Sequence, residues 1–487
     1  MVFGILISFS LGFFLLLKYF PKKYKNIFRE STVIAQTASD WTQWMHDPQH
    51  TGNSPSALRT PTGNSVLTIK WKRTLGERIE INAQPIISGG ILYIGVMDKK
   101  FYALDVTNGN IVWQFTANGE ITHTAAVYND RVCFNTINKT MYCLNKNTGQ
   151  EIFHFTAAGP IMSSVVIDSG IAYFGCNDNN LYAVNVTTGS LVFKSPAGDW
   201  VDTTPAVGPL SNGEKLVFFS SEDMYAYAVN AQTGVLKWKS KMEGIRVTNT
   251  YPVFNKDRII FTTVKPGEES YMPREDFTTV VGLTGDQAIN LWNNYYIKHP
   301  RYRYLYFFDA LTGQDLWNPT NLRYVPFPLP YWGLILPVID NNGNAIYPAS
   351  GGGGDHNLDH NYRLWKVDLT TGITTQWADQ SEYQGRFDET GRHSFANGKY
   401  YEGISEDINV FDPVTRTKHD VFGNGFGSHF SPLDPVPDSS KVSLWPGRQV
   451  VRFGGTDTMG LVPSISSLVV VNGVGYVADY SYIYAIE

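Results

Sequence analysis

The chain repeats one pattern of apolar and polar positions at intervals of 40 residues or more. Residues 101–113, FYALDVTNGNIVW, alternate aromatic and aliphatic side chains, turn at Asp105 and Gly109, and end in an apolar stretch with Trp113. Alternation with a period of two is typical of half-buried β-strands, and Asp followed by Gly is typical of a tight turn. We therefore predict a β-hairpin in each copy of the pattern.

Eight copies align on the position of Asp105, although the last two are imperfect. The aligned positions are 40, 40, 45, 79, 59, 44 and 75 residues apart. The seventh copy has Arg416 where the others have glycine, and the eighth is cut short by the end of the chain. The aligned residues are Asp105, Asn145, Asn185, Asn230, Asp309, Asp368, Asp412 and Glu487.

Two more strands precede each hairpin, so that every repeat contains four strands. In the first copy these strands cover 84–88 and 91–95, and Gly89 and Gly90 separate them. Repeats of this length with four antiparallel strands are typical of propeller blades. We predict an all-β fold: an eight-bladed β-propeller of four-stranded antiparallel blades over residues 65–487.

The two ends of the propeller region are both incomplete, and each supplies what the other lacks. Residues 65–73, SVLTIKWKR, match the last strand of a blade, with Trp71 in the place of Trp113, but no earlier strands precede them. The eighth repeat ends before its own last strand. We predict that the N-terminal strand closes the eighth blade, which removes the exposed sheet edges at the ring junction.

The repeat resembles that of a known family. Ala103, Asp105, Asn108, Gly109 and Trp113 are spaced as in the tryptophan-docking repeat of the pyrroloquinoline-quinone-type β-propellers. That superfamily holds quinoprotein alcohol dehydrogenases and non-catalytic relatives such as the outer-membrane assembly lipoprotein. The resemblance covers about residues 41–487 and implies that the Trp of one blade packs against the next blade. It implies a fold and not one activity, because one fold hosts many functions.

Three long insertions interrupt the later repeats, at 265–303, 351–362 and 422–460. In a propeller, connections between second and third strands and connections between blades emerge on the same face, which we call the canopy face. We predict that the insertions cover the channel mouth there and form the binding site, since functional residues concentrate on loops held by a rigid scaffold. The alternative is decoration without a ligand. One insertion contains a short helix, because Thr284 and Gln287 form a capping box before an apolar face.

Polar residues at the starts of the innermost strands are the candidates for lining the channel mouth. They bind a ligand or hold ordered water. By phase with Gln84 these residues are Asn82, His123, Ser163, Asp202, Asn249 and Arg392. No set of catalytic residues can be assigned from the sequence.

A second group of candidates lies in the insertion 351–362, after four glycines. Histidine and carboxylate side chains suit zinc, manganese or iron, but the spacing matches no strong motif and is also ordinary for a polar turn. Both interpretations remain open. The candidate metal ligands are Asp355, His356, Asp359 and His360.

The reaction centre of the quinoprotein dehydrogenases is not evident in this chain. The enzymes resembled carry adjacent cysteines, a Ca²⁺ or lanthanide site and a catalytic Asp, whereas this chain has three isolated cysteines, Cys133, Cys143 and Cys176. Cys133 and Cys143 fall on neighbouring strands and could approach each other, but we expect all three to be free and buried. We expect no cofactor. Pyrroloquinoline quinone with Ca²⁺ belongs only to the alternative function.

The N-terminal part divides into an apolar segment with a basic flank, 1–30, and a linker with a lead-in, 31–64. Residues 3–17 form one apolar run, followed by five basic residues up to Arg29. Three interpretations stand: an uncleaved anchor with the propeller outside, a cleaved signal, or an anchor that leaves the propeller in the cytoplasm. We favour export by analogy with the family. The lead-in contains Trp41 and Trp44, for which we expect a structural role in covering the end of the propeller.

The charge balance argues against nucleic-acid binding, because the net charge is −5 and no basic block follows residue 30. We predict a non-catalytic extracytoplasmic binding or scaffold propeller, periplasmic or at the cell surface and closer to the assembly lipoprotein than to the dehydrogenases. Its partner is a protein or a cell-envelope component, and residues 3–17 supply the membrane contact. The alternative is a pyrroloquinoline-quinone-dependent oxidoreductase of alcohols or sugars.

Overall fold

The computed structural model divides the chain into Met1–Gln36 and Thr37–Glu487, and every residue that it describes belongs to the second unit. The apolar segment 3–17 is therefore outside the described part. The described residues are 40–56, 58, 68–80, 82–244, 246–247, 250–263, 284–303, 305–326, 337–350, 362–378, 393–403, 408–414, 417–420, 468–479 and 482–487.

The first four blades follow one another without interruption, and each is a four-stranded antiparallel sheet in chain order. The apolar residues of the repeat form these strands, but the middle strands are buried on both faces and not half-buried as expected, because each blade packs between two others: residues 101–104 of the first repeat are all buried. Blade one contains β3 (Ile86–Ser88), β4 (Ile91–Gly95), β5 (Lys100–Asp105) and β6 (Ile111–Thr116). Blade two contains β7 (Ala126–Tyr128), β8 (Arg131–Asn135), β9 (Thr140–Asn145) and β10 (Glu151–Thr156). Blade three contains β11 (Val166–Asp168), β12 (Ile171–Cys176), β13 (Asn180–Asn185) and β14 (Leu191–Pro196), and blade four contains β15 (Ala206–Pro209), β16 (Lys215–Ser221), β17 (Tyr225–Asn230) and β18 (Leu236–Lys241).

The later blades have the same strand order but carry the insertions. Blade five has three described strands, β19 (Val253–Asn255), β20 (Arg258–Thr262) and β21 (Leu305–Asp309), with a single bridge between Phe308 and Asp315 in the fourth position. Blade six contains β22 (Val338–Ile339), β23 (Asn344–Ser350), β24 (Tyr362–Asp368) and β25 (Thr374–Ala378). Blade seven contains β26 (His393–Ala396), β27 (Lys399–Gly403), β28 (Ile408–Asp412) and β29 (Thr417–Asp420). The strands confirm the predicted eight-bladed propeller.

The eighth blade joins the two ends of the chain, as predicted. Its strands are β30 (Val469–Val471), β31 (Val474–Asp479), β32 (Tyr482–Ile486) and, in the outer position, β2 (Ile69–Thr74). The antiparallel register pairs Ile69 with Ile486 and Thr74 with Tyr482. Backbone bonds between Thr68 and Glu487, at 2.9 and 3.0 Å, extend the pairing by one step. The N-terminal strand therefore closes the ring and removes two sheet edges from solvent.

Neighbouring blades are joined by the tryptophan and glycine of the repeat. The indole Nε1 of Trp113 donates to the carbonyl of Lys146 at 3.0 Å, and Trp238 makes the same bond to Ala310 at 2.8 Å. Gly149, at a φ of +72°, lies against the face of the Trp113 ring. The space between blades is filled by rings, such as Phe101 stacked on Phe134 at 4.2 Å. The predicted docking of Trp onto the next blade is confirmed for Trp113 and Trp238, whereas in blade five Tyr324, not Trp317, lies against the glycine of the next blade, Gly372.

The insertion of blade five contains the predicted helix, α1 (Gly285–Lys298). Its N-cap is Thr284, and Thr284 and Gln287 exchange the two hydrogen bonds of a capping box, as predicted. The apolar face of α1 is buried, with Trp292 and Tyr296 at 1% and 2% exposure, and the helix packs on β25 of blade six. A short 3-10 helix, Pro300–Tyr302, follows α1. Residues 265–283, 351–361 and 422–460 of the predicted insertions lie outside the described residues.

The expectation of free cysteines is wrong for two of the three. Cys133 and Cys143 lie opposite each other in β8 and β9 and form a disulfide, with their Cα atoms 4.1 Å apart. Cys176 is a free buried thiol, as expected. The sequence placed the two partners on neighbouring strands, but only the register of the strands makes them direct neighbours.

Candidate functional site

The lead-in segment, residues 40–56, runs inside the ring of blades. The first strand of every blade borders the channel, and lead-in residues make hydrogen bonds to the first strands of all eight blades in chain order. The bonds are Ile87 N to Trp41 O (2.7 Å), Val127 N to Thr42 O (2.8 Å), Ile167 N to Gln43 Oε1 (2.9 Å), Val207 N to Pro48 O (2.7 Å), Phe254 N to Gln49 O (2.9 Å), Ile339 N to Thr51 O (2.8 Å), Phe395 N to Gly52 O (2.7 Å) and Ser54 Oγ to Val470 O (2.9 Å). At its end, β1 (Asn53–Ser54) pairs in parallel with β26.

A chain that contacts all eight inner strands in turn must follow the curvature of the channel, and its backbone shows how. Four residues adopt left-handed φ angles: Met45 (49°), His46 (81°), His50 (60°) and Gly52 (61°). Glycine is favoured at 52, because a Cβ there would lie 2.7 Å from Met45 Cε and 2.9 Å from Val338 Cγ1, and both side chains would have to move. The lead-in is thus a fitted part of the propeller and not a flexible linker.

The Asp47 carboxylate stabilises the turn of the lead-in between residues 47 and 51. One carboxylate oxygen accepts the backbone N–H groups of Gln49 and Thr51 at 3.1 and 3.0 Å, and the other accepts the hydroxyl of Thr51. Burial acts to raise the pKa of Asp47, but the hydrogen bonds and the charge of His46 and the bonds from Thr51 outweigh it, so that the pKa is lowered overall. The carboxylate form therefore stabilises the loop.

His50 is completely buried beside blade five. Its Nδ1–H donates to the carbonyl of Pro252 at 2.8 Å, and its ring meets Tyr251 edge-on at 5.4 Å. Nε2 has no hydrogen-bond partner among the described residues. Burial lowers the pKa of His50 to about 4, although the Pro252 carbonyl and the charge of Asp47 act to raise it. The imidazole is neutral at physiological pH and serves as a packing element.

At the canopy-face end of the channel, hydroxyl groups link successive blades. Gln84 N donates to Thr124 Oγ1 at 2.7 Å, Thr124 N to Ser164 Oγ at 3.1 Å, and Ser164 N to Thr204 Oγ1 at 3.0 Å. The four positions are 40 residues apart, so they occupy the same place in blades one to four. Tyr251 takes this place in blade five. The spacing of Thr124, Ser164 and Thr204 is visible in the sequence, although none of the three was among the predicted channel-mouth residues.

One pocket opens at this mouth. It is about 200 Å³ in total, part of it open solvent, and the space between its side chains has room for about one water molecule. The Trp44 ring packs edge-on against Tyr251 at 5.2 Å. The pocket is lined by Trp44, Asn82, His123, Ser164, Asp202, Thr204, Thr250 and Tyr251.

The structure brings three of the six channel-mouth candidates together in this pocket. Asn82, His123 and Asp202 come from three different blades and are all nearly buried, at 6–7% exposure. The hydroxyl of the adjacent residue, Thr122, lies within hydrogen-bonding distance of His123 Nδ1, at 2.8 Å. Ser163 is not part of the lining, because its hydroxyl donates to the Gly175 carbonyl at 3.0 Å and is turned into its own blade. The remaining candidates, Asn249 and Arg392, lie outside the described residues.

The candidate metal ligands also lie outside the described residues: Asp355, His356, Asp359 and His360. Within the described ranges, no group of three or more His, Cys, Asp or Glu side chains is arranged to hold a metal ion. Among the helices of the described part, none has the length and apolar character to span a membrane.

Part of the chain matches a family model by sequence. Residues 52–199, which run from the lead-in to blade three, match the model described as outer membrane protein assembly factor BamB. None of the curated proteins is significantly similar to the chain in sequence.

Solved structures show the same fold at low sequence identity. The quinohemoprotein alcohol dehydrogenase ADHIIG from Pseudomonas putida HK5 aligns over 92% of this chain and 80% of its own, with 11% identity and a TM-score of 0.53. A europium-containing methanol dehydrogenase aligns over 80% of this chain and 86% of its own, with 12% identity and a TM-score of 0.51. The computationally designed protein Ika8 aligns over 85% of this chain and 98% of its own, with 12% identity and a TM-score of 0.50. At these identities the likeness concerns the fold alone.

Proposed function

The chain is a β-propeller protein of pyrroloquinoline-quinone-like repeats, and we propose that it is a non-catalytic binding or scaffold propeller. An assembly factor and dehydrogenases share this fold. The partner of this chain is a protein or a cell-envelope component, and the partner docks on the canopy face. One observation carries the proposal: the lead-in occupies the channel in which a propeller would otherwise hold a small ligand. It is bonded to the inner strands of all eight blades.

The described residues do not fit a quinone cofactor. Cofactor pockets are typically about 300–1,000 Å³, whereas the canopy-side pocket here has room for about one water molecule. Widening it would require moving Trp44, which is 2% exposed and packed in the core around Tyr251. We therefore propose that the propeller works without a redox cofactor.

The helix α1 supports the choice of the canopy face. It is held firmly, because Arg303 just after it donates two hydrogen bonds to Asp315, one of them at 2.8 Å, and Trp317 Nε1 donates to Asn293 Oδ1 at 3.0 Å. Its outward side is exposed and mainly polar, with Asn290 and Asn294 one turn apart, and it also exposes Ile297. A rigid element with an exposed polar side is suited to contact a partner at little entropic cost.

An extracytoplasmic location is part of the proposal. The Cys133–Cys143 disulfide is typical of oxidising compartments. The family description for residues 52–199 refers to the outer membrane. Residues 3–17 provide the membrane contact in this proposal.

Affinity capture from envelope extracts tests the proposed docking face. We expect Asn290→Arg/Asn294→Arg, or deletion of 351–361, to reduce recovery of the partner at least about tenfold, since a misplaced charge at an interface costs more than about 1.4 kcal/mol. Gln232→Arg, in an exposed turn on the opposite face, is the matched control and should recover the partner normally. Equal recovery by all variants would contradict docking on the canopy face.

The non-catalytic part of the proposal needs a separate assay. The purified protein should be incubated with pyrroloquinoline quinone and Ca²⁺ and tested for dye reduction with alcohols and sugars. We expect neither stoichiometric quinone binding nor dye reduction. Turnover that is abolished by Asp202→Asn would instead establish the oxidoreductase.

A further inference from the structure

The outer strand of each blade leaves one edge of its sheet unpaired, and most of these edges in the described part of the chain carry charge. Charged side chains and proline on an edge strand prevent it from pairing with another chain. Such residues are Lys70, Lys72 and Arg73 in β2; Glu151 in β10; Lys194 and Pro196 in β14; and Lys237, Lys239 and Lys241 in β18. The sequence of β29, TKHD, also contains charged residues.

The outer strand of blade one is different. β6 reads IVWQFT and has neither a charged residue nor a proline. Ile111 and Val112 are 39% and 50% exposed, and Gln114 and Thr116 are exposed as well. β25 of blade six, TTQWA, is also uncharged, but helix α1 packs on it. Among the outer strands that the structure describes, β6 alone is uncharged and without such a covering element.

We propose that this edge is an interface between two copies of the chain, in which the β6 strands pair antiparallel about a two-fold axis. A two-fold contact places the same strand opposite itself, so a strand whose charges all have the same sign would bring like charges together. β18 would bring three lysines against three lysines, whereas β6 brings apolar, amide and hydroxyl groups together. The two blades then form one continuous eight-stranded sheet.

The surroundings of β6 favour the same contact. The register with β5 is irregular between Ile111 and Trp113 and regular over Trp113–Thr116, so the regular part offers its free edge for pairing. Ile69 and Ile152, on the outer strands of the two flanking blades, are 41% and 39% exposed. The outer strands of both flanking blades therefore expose an apolar residue as well. This interface is independent of the canopy face.

The sister blades supply the test substitutions. Aligned on Trp71, Trp113 and Trp238, Val112 corresponds to Lys70 and Lys237, and Gln114 corresponds to Lys72 and Lys239. Val112→Lys/Gln114→Lys therefore gives blade one the edge that two other blades already carry, and the fold should tolerate it. Val192→Lys, at the same place in blade three, is the matched control.

Sedimentation velocity of the full-length chain over a wide concentration range is the measurement. We expect the wild type and Val192→Lys to form dimers as the concentration rises, and the double variant to dissociate at least about tenfold more readily because like charges then oppose each other. Amides of 112–116 should become protected from hydrogen exchange as the wild type dimerises, which tests the interface without any substitution.

Three results would overturn the proposal. The first is a wild type that stays monomeric at its highest soluble concentration. This holds even if its β6 edge binds a different protein. Another is a dimer that the double variant forms as tightly as the wild type, as expected for association through the apolar segment 3–17. The third is concentration-dependent protection that lies elsewhere and spares 112–116.

Discussion

Gly109 lies so close to the indole of Trp71 that a Cβ on this glycine would be 2.6 Å from Trp71 Cε3. The same indole donates its Nε1–H to the carbonyl of Val106 at 2.8 Å. Trp71 belongs to the strand that closes the ring, and Gly109 belongs to the hairpin of blade one. The contact between them is therefore the joint at which the last blade meets the first.

Gly109→Ala should destabilise the propeller by about 2–5 kcal/mol. The φ of +71° at Gly109 costs about 1–2 kcal/mol for a residue with a Cβ, and the clash with Trp71 adds about 1–3 kcal/mol. Gly213→Ala is the control, because Gly213 has a φ of +86° but no atom within 4 Å of the added Cβ. Its cost should be about 1–2 kcal/mol. Denaturant unfolding of the two variants measures the difference, and equal costs would show that the contact with Trp71 contributes nothing.

Removal of the last ten residues should destabilise the whole ring. β32 lies between β2 and β31, so its loss leaves both neighbours unpaired and opens the junction between the first and last blades. We expect one cooperative thermal transition at a much lower temperature. Lys70→Ala, which removes only the exposed ion pair with Glu487 at 2.9 Å, should change stability by about 1 kcal/mol or less. A truncated protein that melts like the full chain would contradict closure by this strand.

Acid should weaken the propeller through His50. The pKa of His50 is lowered from 6.5 to about 4 in the folded state, so the unfolded chain binds the proton more readily. Stability is therefore lost as the pH falls from 6.5 towards 4, by about 3 kcal/mol in all. His50→Asn keeps a donor for the Pro252 carbonyl, tolerates the left-handed φ and does not titrate.

The comparison of unfolding free energies at several pH values tests this prediction. His50→Asn should lose about 3 kcal/mol less than the wild type over this range. The buried His393, whose pKa burial also lowers, to about 3, contributes to both proteins and cancels in the difference. Replacement of the exposed His154 by Asn is the control. Parallel curves for wild type and His50→Asn would mean that His50 is accessible to protons in the folded state.

The Cys133–Cys143 disulfide should contribute about 2–3 kcal/mol, because it closes a short loop with a sequence separation of 10. Thiol titration of the denatured chain should find one thiol before reduction and three after it. The reduced protein should unfold at lower denaturant concentration than the oxidised protein. Cys176→Ala should show the same difference between its oxidised and reduced forms. Three reactive thiols in the unreduced chain would exclude the disulfide.

The sequence determined the repeat architecture because that architecture depends on local chemistry. The turn at Asp105 and Gly109, the apolar runs of the strands and the capping box of Thr284 are each encoded by residues that lie close together in the sequence. Eight phased copies then leave few alternatives to a closed ring. The incomplete repeats at Trp71 and Glu487 even identified the strand that closes it.

The candidate site was predictable only in part. Asn82, His123 and Asp202 were found from their phase in the repeat, since residues at equivalent positions converge on the axis of a ring. A structural role for Trp44 was expected, but its place in the pocket was not predictable, because the lead-in is not repeated and no periodicity indicates its path. Whether Cys133 and Cys143 join also depended on the register of two strands. Sequence alone thus determined the blades, through contacts within each repeat. Only the tertiary structure decided what fills the space that the blades enclose, since residues 40–56 acquire their eight hydrogen-bonding partners only when the ring closes around them.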